Sequence, residues 1–173
     1  MSATIEGGTM PLAVTGFEFS LFIHITAAIA GLGAAFAQGL TYPVAMALDP
    51  RYLPFKHRLQ FAINVVLVLP ALVVLLATGL YQADLVGYDL GDFWLTGAMA
   101  IVAALAVMVI AYFIPEDRRL KRIAERDIAA SGGGEVAVSA EYRRRVWLES
   151  MMGVAADLLV IAAVYLMVIK PGL

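Results

Sequence analysis

A histidine lies inside the first long apolar stretch of the chain, where an imidazole ring has few polar neighbours in sequence. His24 is followed on the same helical face by Ala27, Ala28 and Gly31, whose small side chains leave room beside the ring. Lipid cannot satisfy the hydrogen-bonding groups of imidazole, so this face is expected to turn towards other helices. There the ring can bond a neighbouring hydroxyl, ligate a metal or a haem iron, or relay protons.

Three hydroxyl-bearing residues are expected at the depth of His24 in other spans, namely Thr78, Thr96 and Tyr165. A hydrogen bond from His24 to Thr78 or Tyr165 would simply join two helices. If the histidine instead ligates metal or haem iron, these hydroxyls and the small residues beside it would line the site. The second histidine, His57, follows Lys56 and precedes Arg58 on the cytoplasmic side, where we expect it either to bind at the membrane interface or simply to be solvated.

A carboxyl group lies near the middle of the last apolar stretch, and three more polar residues share a level nearer one end. Asp157 is the central acid, and the lower layer consists of Gln38, Asn64 and Glu149. Ionisable groups inside apolar spans are costly and commonly functional. With the first-span imidazole they predict either hydrogen bonds that hold helices together or a path for protons or metal ions. Glu149 is expected to pair with the cluster Arg143–Arg145.

Small residues recur along the first span and the last. Ala27, Gly31, Ala35 and Gly39 follow one another at four-residue spacing, and Ser150 and Gly153 precede the central acid of the last span on one face. Small residues let another helix or a flat ligand approach closely. Both interpretations stay open at this point.

Four apolar runs must position these groups. They cover residues 19–42, 59–82, 93–114 and 147–169, and each is close to the roughly 20 residues that a helix needs to cross a bilayer. Of 173 residues, 62% are hydrophobic, and the mean hydropathy is +0.86. The short connections predict an all-α, membrane-spanning, up-down four-helix bundle formed by one domain.

Two local features refine this prediction. Pro70 lies midway in the second span, where the missing N–H and the bulk of the ring predict a kink. Phe93 and Trp94 open the third span, and such aromatic residues are typical of the headgroup level.

Every lysine and arginine except Lys170 lies in or beside the first or the third connection, the latter covering residues 115–146. By the positive-inside rule these connections are cytoplasmic and both termini lie outside, which predicts a multi-pass protein of a bacterial inner membrane. The basic residues suit this topology and the anionic lipids of the bilayer, so we predict no nucleic-acid partner. Cysteine is absent, which excludes disulfides and thiolate metal sites.

Several short motifs carry a family resemblance that covers nearly the whole chain. They are His24, Leu69-Pro70 with Ala77-Thr78-Gly79-Leu80, Trp94, and Met167-Val168-Ile169-Lys170-Pro171-Gly172. This pattern resembles a family of uncharacterised bacterial integral membrane proteins. More distantly it resembles HemJ-type protoporphyrinogen oxidases and CopD-type membrane proteins.

The HemJ resemblance implies a haem or porphyrin site that uses the first-span histidine, here His24. HemJ-like sequences also carry a basic residue late in that span and a lysine after the tryptophan. Here residues 37–40 are uncharged, and Thr96-Gly97-Ala98 follows the tryptophan. The resemblance therefore implies retained haem or porphyrin binding more than the oxidase reaction.

These observations predict a non-enzymatic accessory protein of the inner membrane that binds haem through His24. It would act in a larger membrane complex, as subunit or assembly partner, or as a homo-oligomer. A second hypothesis is translocation of protons or metal ions along His24, Asp157, Gln38 and Asn64. A third is a porphyrinogen oxidase, and a fourth is a purely structural role for the polar residues.

Overall fold

The computed structural model describes residues 15–172, and this part of the chain is helical without β-strands. The helices are α1 (Gly16–Gln38), α2 (Thr41–Leu48), α3 (Pro50–Val86), α4 (Phe93–Ala130) and α5 (Ala140–Ile169). All but α2 are long and apolar enough to cross a membrane. The predicted all-α fold with four membrane-spanning helices is confirmed. The predicted outside location of the N-terminal segment concerns residues 1–14, which lie outside the described residues.

Local capping explains where several helices begin and end. The Thr15 hydroxyl accepts from the Glu18 backbone N–H at 3.2 Å, and the Glu18 carboxylate accepts from the Thr15 N–H at 2.9 Å, so the two form a capping box at the start of α1. Ser139 caps α5 by accepting from the N–H of Tyr142. Gly87 ends α3 in the left-handed conformation (φ 78°), which glycine adopts without strain.

The turn between α2 and α3 is tied to the connection between α4 and α5. Asp49 accepts from the backbone N–H of Arg51 at 2.7 Å, and this bond, with the nearby guanidinium, holds the pKa of the carboxyl below its usual range. The same guanidinium donates to the carbonyls of Gly133 and Gly134, at 3.3 and 2.6 Å. The two basic connections therefore meet at one end of the bundle, which we call the basic end. The opposite end, with the loop of residues 87–92, is the acidic end.

The helices pack as successive neighbours, with α1 along α3, α3 along α4, and α4 along α5. Apolar side chains form three layers between them. The layer at the basic end includes Leu53, Leu120, Ile123, Tyr142 and Val146; the middle layer includes Val68, Leu72, Leu105, Val109 and Val160; the acidic-end layer includes Ala83, Trp94 and Leu95. The fold thus places three separate apolar layers between the two ends.

Helices α3 and α4 are longer than a bilayer is thick. They contain 37 and 38 residues, which at a rise of 1.5 Å gives about 55 Å against about 30 Å of hydrocarbon. Residues 115–146, predicted as a connection with a helical first part, hold the end of α4, a short link and the start of α5. The helical bundle therefore continues through sequence that is too polar for lipid.

Three of the long helices contain a wide, π-helical turn. These turns are Ala28–Leu32 in α1, Asn64–Val68 in α3 and Val109–Phe113 in α4. Pro70 and Pro115 each lie two residues after such a turn. A proline lacks an N–H and crowds the carbonyl four residues earlier, which here falls inside the wide turn. The distortion predicted at Pro70 thus accompanies a local widening of α3.

Candidate functional site

Six polar side chains meet in the interior near the basic end, and we call them the buried polar cluster. They are Lys56, His57 and Asn64 of α3, Asp117 of α4, and Tyr142 and Glu149 of α5. Each is less than one-tenth exposed, and His57 and Tyr142 are fully buried. Buried charged residues are uncommon unless they are paired, so the contacts among these side chains decide what the cluster can do.

His57 lies at the centre of the cluster and contacts groups from two other helices. Its Nε2 atom is 2.7 Å from the hydroxyl oxygen of Tyr142, and its Nδ1 atom is 3.4 Å from Oδ1 of Asp117. Oε1 of Glu149 is 4.0 Å from the same Nδ1 atom. One edge of the ring is thus anchored by a hydroxyl, and the other edge faces two carboxyl groups.

Lys56 places its ammonium group against Glu149 and the imidazole ring of His57. Its Nζ atom lies 3.1 Å from Oε2 of Glu149 and 3.4 Å from Nδ1 of His57. Burial and the neighbouring Glu149 raise the pKa of Asp117 to about 8, so near neutral pH the ammonium faces the Glu149 carboxylate and a largely protonated Asp117. The buried group is then close to neutral, and a cation of higher charge that bound there would release the Asp117 proton.

Amide side chains connect the cluster to α1. Asn64 donates to Oδ2 of Asp117 at 3.2 Å, and its own Oδ1 accepts from Gln38 at 3.2 Å. Gln60 donates to the backbone carbonyl of Gln38 at 3.4 Å. Its Oε1 atom is buried and has no hydrogen-bond partner among the described residues. An acceptor buried without a partner is costly, which indicates a place for a donor or a cation.

A cavity of about 220 Å³ extends from this cluster into the apolar middle of the bundle. Its lining includes Lys56, Asp117 and Glu149 at one end, Asp157 farther along α5, and apolar residues of the middle layer. The wide turns contribute to the same wall through Leu32, Asn64, Val68, Val109 and Phe113. Wide turns of this kind recur at functional sites because they displace side chains and backbone groups from regular helical positions.

The periodicity of α3 explains why polar residues face inward. Leu53, His57, Gln60, Asn64 and Val68 are all buried and follow one another at spacings of three or four residues. This is the repeat of one helical face. The polar members therefore continue the inner face of the apolar part of α3, and their burial follows from its register.

Three members of the cluster could hold a metal ion. One ligand atom each from His57, Asp117 and Glu149 can be chosen such that all three lie within 4.8 Å of one another. A nitrogen and two carboxylate oxygens suit divalent first-row transition metals. The donor set therefore fits such an ion, although the Lys56 ammonium presently lies among the same atoms.

His24 contacts Thr78 on α3, with 2.7 Å between Nδ1 and Oγ1. The Thr78 hydroxyl donates to the carbonyl of Val74 at 2.6 Å, so it accepts from a protonated Nδ1 of His24. In this tautomer Nε2 carries the lone pair. Tyr165, expected at the same depth, is 56% exposed, and the structure shows no hydrogen bond between it and His24.

The small residues that follow His24 are packed against protein. Gly31 is buried, and a methyl group added to it would collide with that of Ala71 on α3. Ala27 and Ala28 pack against the middle apolar layer. These small residues, which we call the small-residue ridge, therefore form the packing interface between α1 and α3.

The polar stripe of α5 lines the cavity, as Ser150, Gly153 and Asp157 all belong to its wall. Gln38 and Asn64 belong to it as well, whereas His24 does not. The structure therefore brings the inner polar layer and Asp157 to one cavity, and it places the His24–Thr78 pair outside that cavity.

Two expectations about individual side chains near the basic end were wrong. His57 was expected to bind at the membrane interface or to be solvated there, but it is fully buried because α3 begins well before the apolar run. Glu149 was expected to pair with Arg143–Arg145, but it pairs with Lys56. Arg145 instead binds Glu116 at 2.9 Å. The reason is helical phase, which turns Glu149 inward while the arginines stay near the surface.

The headgroup level expected for Phe93 and Trp94 stays a prediction, and the two side chains have different surroundings. Trp94 is only 3% exposed and packs inside the bundle, whereas its neighbour Phe93 is exposed. Tyr88 packs edge-on against Trp94 with 5.0 Å between ring centroids, and the Lys170 ammonium lies over both rings. Lys170 also donates to the Tyr88 hydroxyl at 2.9 Å. These contacts close the acidic end of the bundle.

The fold and the composition of its helices define a multi-pass integral membrane protein of the all-α class. Residues 19–171 match the family model described as predicted integral membrane protein (DUF2269), and the chain belongs to this family. Neither the curated proteins nor the solved structures contain a match to it. The resemblance to HemJ-type and CopD-type proteins stays a prediction.

Proposed function

We propose that this protein passes protons or small cations across the membrane through the cavity that joins the buried polar cluster to Asp157. The observation that carries this proposal is the lining of the cavity. Its wall includes Lys56, Asp117 and Glu149 of the buried polar cluster and also Asp157. A carboxyl group at membrane depth that lines a cavity, as the partly buried Asp157 does, is typical of ion and proton pathways.

Contacts near the buried polar cluster support entry of protons or cations into the cavity from the basic end of the bundle. Asn64 and Gln38 form a hydrogen-bonded chain from Asp117 towards α1, and Ser150 leads along α5 towards Asp157. Such groups can orient water molecules or exchange hydrogen bonds with a passing ion. The cluster would hold the cation or proton, and Asp157 would be the next acceptor.

The middle apolar layer separates this cavity from the acidic end. Val68, Leu72, Leu105 and Val160 belong both to the cavity wall and to the core. His24 precedes the lining residue Leu32 by eight positions, or roughly 12 Å of helix. The His24–Thr78 pair would therefore receive the proton or ion only after the apolar layer has opened.

A flux measurement tests this proposal. Asp157→Asn protein in proteoliposomes should lose proton or cation flux, while Asp84→Asn, which changes an exposed acid near the acidic end, should leave it intact. Far-UV circular dichroism and size-exclusion profiles establish that both variants are folded. Flux through Asp157→Asn at the wild-type rate would overturn the proposal.

The proposal also includes the orientation of the protein in the membrane. By the positive-inside rule we place the basic end in the cytoplasm of a bacterium. The chain has no cysteine, so single reporters can be introduced directly. Glu135→Cys should react with a membrane-impermeant maleimide only after cell lysis, and Leu90→Cys should react in intact cells. Both residues are exposed, and the reverse labelling pattern would contradict this orientation.

Haem binding by His24, and membership of a larger membrane complex, stay predictions. The Nε2 lone pair supports ligation, but the close approach of Gly31 to Ala71 means that the small-residue ridge offers no gap for a macrocycle. Haem would have to bind on the outer side of the His24 ring. A Soret band that appears on haem addition to purified protein and is lost in His24→Ala would establish the site. The absence of such a band would exclude it.

A further inference from the structure

We propose that His57, Asp117 and Glu149 form a binding site for a divalent transition-metal ion, which takes the place of the Lys56 ammonium group. The proposal identifies the ion bound by the buried polar cluster. That this site loads the pathway described above rests on the proposed function, whereas binding itself does not.

The separations between the ligand atoms are near those of a metal site. With metal–ligand bonds of about 2.1 Å, tetrahedral ligand atoms lie roughly 3.4 Å apart. Nδ1 of His57 is 3.4 Å from Oδ1 of Asp117 and 4.0 Å from Oε1 of Glu149. The widest separation within the set is below 4.8 Å. Closing the site therefore needs side-chain movements on the order of 1 Å.

The surroundings already orient the ligands as metal sites require. If Nδ1 of His57 binds the ion, Nε2 carries the proton and donates to the Tyr142 hydroxyl 2.7 Å away. Asn64 donates to Oδ2 of Asp117 and leaves Oδ1 directed at the imidazole. Both ligands are thus held by second hydrogen bonds, from α5 and from α3.

An independent observation points to a cation in the same place. Gln60 lines the cavity together with Asp117 and Glu149, one helical turn from His57 along α3. It is 8% exposed and has a buried Oε1 atom without a partner among the described residues. A metal-bound water molecule can donate to such an acceptor. Lys56 also lines the cavity, so its side chain has space to withdraw when the ion arrives.

The charge balance favours a divalent over a monovalent ion. Once the lysine has withdrawn, two ionised carboxylates and a divalent ion form a neutral group, whereas the same carboxylates and a monovalent ion are one unit negative. Neutral buried groups cost less desolvation than charged ones. The site would consequently prefer a divalent to a monovalent cation.

Titration of chelator-treated, detergent-purified protein tests the site with Zn²⁺ by calorimetry and with Co²⁺ by its visible absorption bands. Wild-type protein should bind one ion per chain, and Asp117→Asn should lose this binding. Tyr142→Phe should weaken it by roughly tenfold, as loss of a group that orients a ligand does. Lys56→Met should lower the Kd for Zn²⁺ by at least about tenfold. The ammonium group repels a metal ion at this distance, and removing that repulsion strengthens binding by more than about tenfold.

The chain offers a matched control, since His24 is its other histidine. His24→Ala should leave Zn²⁺ affinity unchanged, while His57→Ala should abolish binding. If His57→Ala fails to fold, the opposite effects of Lys56→Met and Asp117→Asn still decide the matter. The proposal is overturned if neither wild type nor Lys56→Met binds Zn²⁺, or if His24→Ala removes binding. Zn²⁺ binding without any flux would uphold this site and refute only the proposed function.

Discussion

The pair Lys56–Glu149 allows a quantitative test of how the buried polar cluster is held together. Their side chains are 4% and 10% exposed, and Nζ lies 3.1 Å from Oε2. Removing one member of a buried ion pair typically costs 3–5 kcal/mol, because a charge is left without its partner. Glu149→Gln should fall near the lower end, about 3 kcal/mol, since Asp117 still faces the ammonium.

Lys56→Met should cost more, about 5 kcal/mol, because two carboxyl groups then face each other without a cation. Their nearest ligand atoms lie within 4.8 Å. The double variant Lys56→Met/Glu149→Gln should be more stable than Lys56→Met alone, since one of these carboxylates is gone. The free energy of unfolding, measured by circular dichroism during denaturation in mixed micelles without added metal, gives the coupling between the two positions.

An exposed ion pair of the same chain supplies the comparison. Lys121 and Glu125 lie one helical turn apart with 3.4 Å between charged atoms, and both side chains are well exposed. Their coupling in the same double-variant cycle should be about 0.5 kcal/mol or less. If the coupling at Lys56 and Glu149 is equally small, the description of the cluster as a desolvated ionic group is refuted.

Two further predictions concern the ends and seams of the bundle. Gly31→Ala should destabilise the protein by about 1–3 kcal/mol, because the added methyl group meets Ala71. At Gly33 no atom lies within 4 Å of an added methyl group, so Gly33→Ala should be neutral or stabilising by up to about 1 kcal/mol. Equal effects at both glycines would contradict the seam between α1 and α3. Lys170→Met should lower stability by about 1 kcal/mol through loss of the cation–π contact with Trp94, and Lys170→Arg should retain it. Thermal unfolding in detergent measures all four variants, and an unchanged midpoint in Lys170→Met would count against the closing role of that lysine.

The fold could be predicted because four apolar runs of bilayer length leave little choice besides a helical bundle. Their ends could not, since hydropathy marks where lipid begins and not where a helix does. Helix α3 continues to Pro50, and α4 continues to Ala130, in sequence that lipid would exclude. Helices that continue past the bilayer are stabilised by packing against each other, as the layer around Leu120 and Tyr142 shows.

The candidate site was predictable in part. Gln38, Asn64, Glu149 and Asp157 were found because polar residues stand out within apolar runs, and the structure gathers them at one cavity. His57 and Asp117 were missed because each lies among other charged residues, where a buried group has no compositional signal. Helical periodicity carried that signal, since His57 continues the buried stripe of α3 by regular spacing.

From the sequence, His24 and not His57 was selected as the candidate site residue. Apolar surroundings favoured His24, and its partner Thr78 lies where helical depth predicted. The depth of a residue along its helix axis does not say towards which neighbouring helix its side chain points. Depth alone therefore could not decide whether His24 bonds to Thr78 or to Tyr165. That decision depends on which helices are neighbours, and α1 packs along α3.

The wide turns in α1, α3 and α4 determine how this architecture tolerates change in length. Residues on either side of a π-helical turn are out of phase with a regular α-helix by about one position, which is roughly 100° of rotation. A π-helical turn holds one residue more than an α-helical turn, so deleting one residue within Asn64–Val68 would restore regular pitch while His57 keeps its inward direction. A deletion between His57 and this turn would instead rotate His57 by about 100°. In this family, single-residue deletions at the wide turns should therefore leave the buried polar cluster intact, whereas deletions between the turns should rotate its members out of the interior.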